Sequence, residues 1–291
     1  MGGCILNIFS KKHPAVLVIY FGLLQLLLLI TMHPLVIMIA LSGALAYLIC
    51  LTSWRYTLVE VSYYGSFSLL IAVMYSAFAH NGVTPLFFYN DHAVTKEAIT
   101  RGTMFGLIFL TSIFWIKTYL RTMQTNHFLF LFTKIHPALG LFASMCFRFF
   151  PYFQELWQQN KRGQQGGHYF YTASRFERLG RLLLLQLHTL TQAVDAVFWK
   201  PAIMHSKGYQ KKRTQFQLFK WRLADTIFLL TVCIIFSLLI GQLGSPFEYF
   251  PALQSIHLSP TILCGLCMFY WLPAMIEGKE LIKWHYAQSK I

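Results

Sequence analysis

Between His13 and Trp54 the chain runs for 42 residues without one Asp, Glu, Lys or Arg. As a single helix rising about 1.5 Å per residue it would be about 63 Å long, roughly twice the hydrocarbon core of a bilayer. The run therefore predicts two membrane spans. Thr31-Met32-His33-Pro34 marks the break, because proline restricts the residue before it and stops helices. Composition agrees: 56% of the 291 residues are hydrophobic and 12% are charged, about half the charged share of a soluble domain. A disordered chain needs low hydrophobicity. Six Cys in 291 residues are too sparse for a disulfide scaffold.

Four more charge-poor stretches predict spans near 62–80, 98–118 and 225–243, and one after Pro260. The fold class expected is an all-α polytopic membrane protein with about six transmembrane helices. Basic residues favour the cytoplasmic side. Lys11 and Lys12 precede span one, Arg55 follows span two, Lys117 and Arg121 follow span four, and Lys279, Lys283 and Lys290 follow span six. The loops after spans three and five are almost free of base, with Lys96 and Arg101 as exceptions at the outer edge. Both termini are thus expected in the cytoplasm. The N-terminal apolar run lacks a small-residue cleavage site and reads as a retained span. Leu6 stands where the myristoylation pattern needs Ser or Thr.

The basic residues are concentrated. Residues 121–222 hold 15 Lys and Arg against Glu155, Glu177 and Asp195, or +12 of the formal charge of +14. This gives three parts: spans one to four in 1–120, a basic helical cytoplasmic insert in 121–222, and spans five and six with the C-terminus in 223–291. Within the insert, Leu129–Phe150 reads as an apolar helix interrupted near His136-Pro137. Phe149–Asn160 reads as an amphipathic helix, and Leu179–Trp199 as a third, leucine-rich one. A basic, greasy insert suits two partners: anionic lipid headgroups, or cytoplasmic proteins that take apolar anchors in a groove and charges for register.

Two motifs lie in the insert. Asn160-Lys161-Arg162-Gly163 and His205-Ser206-Lys207-Gly208-Tyr209 each place a cation directly before a glycine at an expected helix end. One reading is C-capping, with glycine in the left-handed position and the cation opposing the helix dipole. The other is a charged tip that enters an acidic groove on a partner.

These residues resemble the transmembrane T component of energy-coupling-factor transporters, modular ABC-type importers of vitamins and transition-metal ions such as cobalt and nickel. That family carries two Ala-Arg-Gly motifs at the ends of two cytoplasmic coupling helices. The first follows an Arg-Phe-x-Pro segment, matched here by Arg148-Phe149-Phe150-Pro151, then Glu155, then Lys161-Arg162-Gly163. The second is matched by Ser206-Lys207-Gly208-Tyr209, followed by Lys212-Arg213-Thr214. His80-Asn81-Gly82-Val83-Thr84-Pro85 and Val94-Thr95-Lys96-Glu97-Ala98 resemble the family's outer loop and next helix. The resemblance covers about residues 33–280. It departs from the family where Lys161 replaces alanine and where Ser206 and Lys207 replace Ala and Arg. Lysine cannot make arginine's bidentate fork.

The resemblance implies a non-catalytic subunit of a prokaryotic cell membrane. Its partners would be two cytoplasmic ABC ATPases, a small substrate-binding membrane subunit and the lipid bilayer, with no nucleic acid. Lys161, Arg162, Gly163, Ser206, Lys207 and Gly208 would dock the ATPases. Arg148, Pro151, Glu155 and Arg213 would support the coupling helices, and the Leu179–Trp199 face would hold the substrate-binding subunit. No cofactor or metal would bind the chain directly, because the partner ATPases use the ATP. The sequence itself holds no Gly-x4-Gly-Lys-Ser/Thr phosphate loop.

Other candidates are weaker. Cys264-x2-Cys267 lies inside span six and reads as core packing. His80 and His92 flank the outer loop and read as solvated. Asp225, at the mouth of span five, reads as an interfacial ion-pair residue. Two further classes stay open: a stand-alone secondary transporter, which needs repeats and mid-membrane ionisable groups, and a membrane-embedded lipid enzyme, which needs a polar cluster at one depth.

Overall fold

The computed structural model describes residues 9–79, 83–89, 92–167, 174–206, 208, 219–243, 247, 249 and 258–288. The chain divides into two compact units, residues Met1–Gln124 with Phe219–Ile291, and residues Thr125–Leu218.

The first unit is a bundle of α1 (Pro14–Thr31), α2 (Pro34–Leu51), α3 (Trp54–Phe78), α4 (Lys96–Thr122), α8 (Leu223–Leu243) and α9 (Pro260–Gln288). Each of these six helices is long and apolar enough to cross a membrane, α9 over Pro260–Lys279. The chain is an α-helical polytopic membrane protein. The break in the long uncharged run falls where proline predicts it. Met32 turns the chain with φ of 45°, and His33 Nδ1 accepts the Leu35 amide at 3.2 Å to start α2. His13 caps α1 in the same way, through the amide of Ala15. In both cases Pro occupies the first helical position, where a missing N–H costs nothing. Tyr249 closes over the turn, its hydroxyl donating to the Met32 carbonyl at 2.8 Å.

One boundary departs from expectation. α3 begins at Trp54, not near residue 62, so Arg55 and Glu60 are helical. They are tolerated because Glu60 is neutralised by α4, as described below. Between α3 and α4 there is also a strand pair that helical periodicity does not announce. β1 (Pro85–Tyr89) pairs antiparallel with β2 (His92–Thr95), with an irregularity between Pro85 and Phe87. Glu97 ties this hairpin to α4, accepting from the Thr84 hydroxyl at 2.8 Å.

The bundle is sealed by close backbone approach and by buried hydroxyls. On α4, Gly102 and Gly106 face Ser68, Ala72 and Ser76 of α3; a Cβ at Gly106 would lie 2.5 Å from the Ser68 carbonyl oxygen. On α2, a Cβ at Gly43 would lie 2.7 Å from the Tyr270 carbonyl of α9. Small residues at a four-residue spacing let spanning helices pack this way. The Tyr20 hydroxyl donates to the Phe269 carbonyl, Tyr270 to Leu24, and Trp115 Nε1 to Ala40. Phe9 is fully buried among Tyr20, Phe21, Tyr47 and Phe228, and its amide donates to Glu277 at 2.8 Å.

Two side-chain expectations are corrected here. Asp225 interacts electrostatically with Lys12 but makes no ion pair at contact distance among the described residues. Its carboxylate instead accepts the Arg222 amide at 3.3 Å and closes the first turn of α8. Cys264 and Cys267 are exposed rather than packed. Ile262, Leu266, Phe269 and Tyr270 form the buried stripe of α9, and at 3.6 residues per turn the two cysteines fall off it.

Candidate docking surface

The second unit contains α5 (Thr125–Ile135), α6 (Pro137–Gly166) and α7 (Arg175–Ser206). His136 and Pro137 separate α5 from α6 as expected, with His136 Nδ1 accepting the Ala138 amide at 3.2 Å. α5 folds back tightly on α6, since a Cβ at Gly140 would lie 2.6 Å from the Thr133 side chain.

α6 differs from the sequence reading. No new helix starts at Phe149-Phe150-Pro151; Pro151 lies inside one continuous 30-residue helix. Proline removes one intrahelical bond, and a helix this long survives that loss. Phe149 and Phe153 stack across the position, with ring centroids 6.1 Å apart.

The first motif is likewise not a helix end. Lys161, Arg162 and Gly163 are helical and exposed. The helix continues through Gln164-Gln165, and glutamine is a good helix former. It ends instead at Gly166-Gly167, where the Gly167 amide donates to the Gly163 carbonyl at 3.2 Å. The C-capping reading of Gly163 is therefore overturned. Space around Gly163 is open, with nothing within 4 Å of a Cβ placed there. At the second motif, α7 ends with Ser206, and Gly208 takes the left-handed conformation at φ 77°. That is the geometry a glycine C-cap provides. Lys207 and Arg213 lie outside the described residues.

Arg148, Pro151 and Glu155 are all exposed on α6. Glu155 accepts from Gln159 Nε2 at 3.5 Å. Among the described residues neither Arg148, Lys161 nor Arg162 enters an ion pair. The cations of α6 therefore present their charge outward from this unit.

α6 and α7 meet along a narrow stripe. Leu185, Thr189 and Ala193 recur every four residues on α7 and are almost completely buried. Asn160, the residue before Lys161, reaches across from α6. Its Nδ2 donates to Thr189 Oγ1 at 3.2 Å and to Gln192 Oε1 at 3.1 Å. Sequence reasoning took Asn160 only as the first letter of a motif; its partners 29 and 32 residues away give no local signal. The rest of the leucine row faces outward: Leu179, Leu183, Leu184 and Leu187 are each more than half exposed, and Trp199 is 70% exposed. Phe142 and Phe150 of α6 are also exposed. Exposed apolar side chains recurring along a helix face, as Leu179, Leu183 and Leu187 do, suit an interaction site or lipid contact.

No protein-family model matches the chain, and no curated protein matches it significantly.

Proposed function

We propose that this chain is the transmembrane coupling subunit of an energy-coupling-factor type ABC importer for a vitamin or a transition-metal ion. In this reading residues 121–222 lie on the cytoplasmic side between spans four and five, with both termini cytoplasmic in a prokaryotic cell membrane. Two ATPases beneath the membrane take the exposed Lys161-Arg162-Gly163 segment and the Ser206-Lys207-Gly208 end of α7. ATP-driven closure moves α6 and α7, which pass the motion to a separate substrate-binding membrane subunit held on the leucine row. Arg148, Pro151, Glu155 and Arg213 support these helices. The observation that carries the reading is the second unit itself. It is three helices with outward cations on one and an outward leucine row on another, a surface a protein partner would cover.

Co-purification tests it. The wild-type chain is expected to recover two ATPases and a small membrane protein from mild detergent. Arg162→Glu with Lys207→Glu is expected to lose the ATPases and keep the membrane partner. Undiminished ATPase recovery, or recovery of a homo-oligomer alone, refutes it.

A further inference from the structure

Where α3 begins and α4 ends, cations and aromatic rings gather in a patch that the coupling role does not use. Tyr56, Glu60 and Tyr64 follow one another at four-residue intervals on α3, so from one helical turn to the next they share a face; Thr52, at the end of α2, lies just before it in the chain. Opposite them stand Lys117 and Arg121 of α4. Lys117 Nζ lies 2.6 Å from Glu60 Oε1 and 4.3 Å from the centre of the Tyr64 ring. Arg121 Nη2 lies 3.5 Å from the same carboxylate oxygen, Nη1 donates to the Thr52 hydroxyl, and Cζ sits 5.0 Å from the Tyr56 ring. Glu60 is buried, while the two cationic side chains keep 25% and 32% of their surface exposed.

A helix-to-helix staple needs one cation for one carboxylate. This patch has two, and Arg55 on the exposed first turn of α3 is a third, its Cζ 5.7 Å from the Trp54 ring. Three cations against Glu60 leave two positive charges. Arginine has five N–H donors, and the hydrogen bonds of Arg121 to Thr52 and Glu60 engage only its two terminal nitrogens. The positive end of the α3 dipole has the same sign. The surroundings specify what kind of anion suits it. Val59 of α3 and Ile116 and Leu120 of α4 are exposed next to Glu60, Lys117 and Arg121 in the chain, and Trp54, the kind of residue enriched at membrane–water interfaces, is exposed too. A free phosphate would gain nothing from those apolar neighbours, whereas an acyl chain would cover them.

We propose that this patch binds the headgroup of an anionic phospholipid. The phosphate is held by Arg55 and the remaining donors of Arg121, with Glu60 fixing Lys117 and Arg121 in place. The acyl chains lie along Val59, Ile116 and Leu120. The site is independent of the coupling reading.

The test uses the full chain, stripped of lipid in detergent. It is mixed with phosphatidylglycerol or phosphatidylcholine of identical acyl chains, and retained lipid is counted by native mass spectrometry. Wild type is expected to retain phosphatidylglycerol selectively. Arg55→Gln is expected to weaken that retention about five-fold, the effect of one cation near a headgroup, and Arg55→Gln with Arg121→Gln to abolish the selectivity. Arg55→Gln leaves the Lys117–Glu60–Arg121 contacts in place, so an unchanged melting temperature shows that the loss is not unfolding; if the double variant unfolds, the single one decides. Equal retention of the two lipids, or wild-type retention by Arg55→Gln, overturns the proposal. Displacement of phosphatidylglycerol by inorganic phosphate at equal concentration overturns the assignment to lipid and leaves an anion site.

Discussion

The two units join their long helices differently, although both leave apolar side chains exposed. In the first, helices approach until backbone meets backbone, and tyrosine and tryptophan donors are satisfied by carbonyls of neighbouring helices. In the second, helices of 30 and 32 residues touch along one stripe and leave leucines, phenylalanines and cations outside it. Close packing by small residues suits a structure that holds its shape, since packed interiors transmit strain rather than absorb it. A long helix pair joined along one stripe gains little from its own burial and leaves a surface for something else to cover.

The comparison breaks most sharply at Gly106. A leucine there would drive its Cβ to within 2.5 Å of the Ser68 carbonyl oxygen, a backbone atom that cannot swing aside. Gly106→Leu is expected to cost about 3 kcal/mol or more, read as a fall in melting temperature in detergent. Unchanged stability would mean that α3 and α4 are not tightly packed.

Asn160 is the corresponding point in the second unit, and the expected loss is smaller. Asn160→Ala removes two hydrogen bonds between α6 and α7. Thr189 keeps its own bond to the Leu185 carbonyl at 2.7 Å, so no buried hydroxyl is left unpaired. A loss of about 1 kcal/mol is expected, visible as faster amide hydrogen exchange in the middle of α7 while α1 and α2 exchange as before. Equal acceleration in both units would erase the distinction between them.

The spans were legible because a missing charge is a local property, and each helix spells out its own. The breaks at His33-Pro34 and His136-Pro137 were legible for the same reason. Glu60 was not. A search for uncharged windows discards any turn with a carboxylate, and what makes this one tolerable is Lys117, 57 residues further on. The glycine face of α4 was missed similarly: Gly102 and Gly106 become meaningful only beside Ser68, Ala72 and Ser76. The separate helix expected over Phe149–Asn160 is instead part of α6, which runs on through Pro151 because helix breaking by proline is a tendency that a long helix overrides. The motif around Arg162 was legible as exposed and basic; its place within a helix, rather than at its end, depended on Gly166-Gly167 downstream being the better stop.

The smallest expected effect divides the two readings of Gly163. Were the residue a left-handed cap, alanine would be strained there by about 1–2 kcal/mol. Within α6 it is helical and nothing lies within 4 Å of the position its Cβ would take, so Gly163→Ala gains helix propensity. Stability is expected to rise by up to about 1 kcal/mol. Gly208→Ala, at φ 77°, is expected to fall. ATPase recovery supplies the second axis. If a partner's surface presses close to Gly163, the added methyl lowers recovery while the chain itself becomes more stable, a combination that neither a cap nor an idle helical glycine produces. Recovery that follows stability upward would show that the glycine is incidental and that Lys161 and Arg162 alone form the contact.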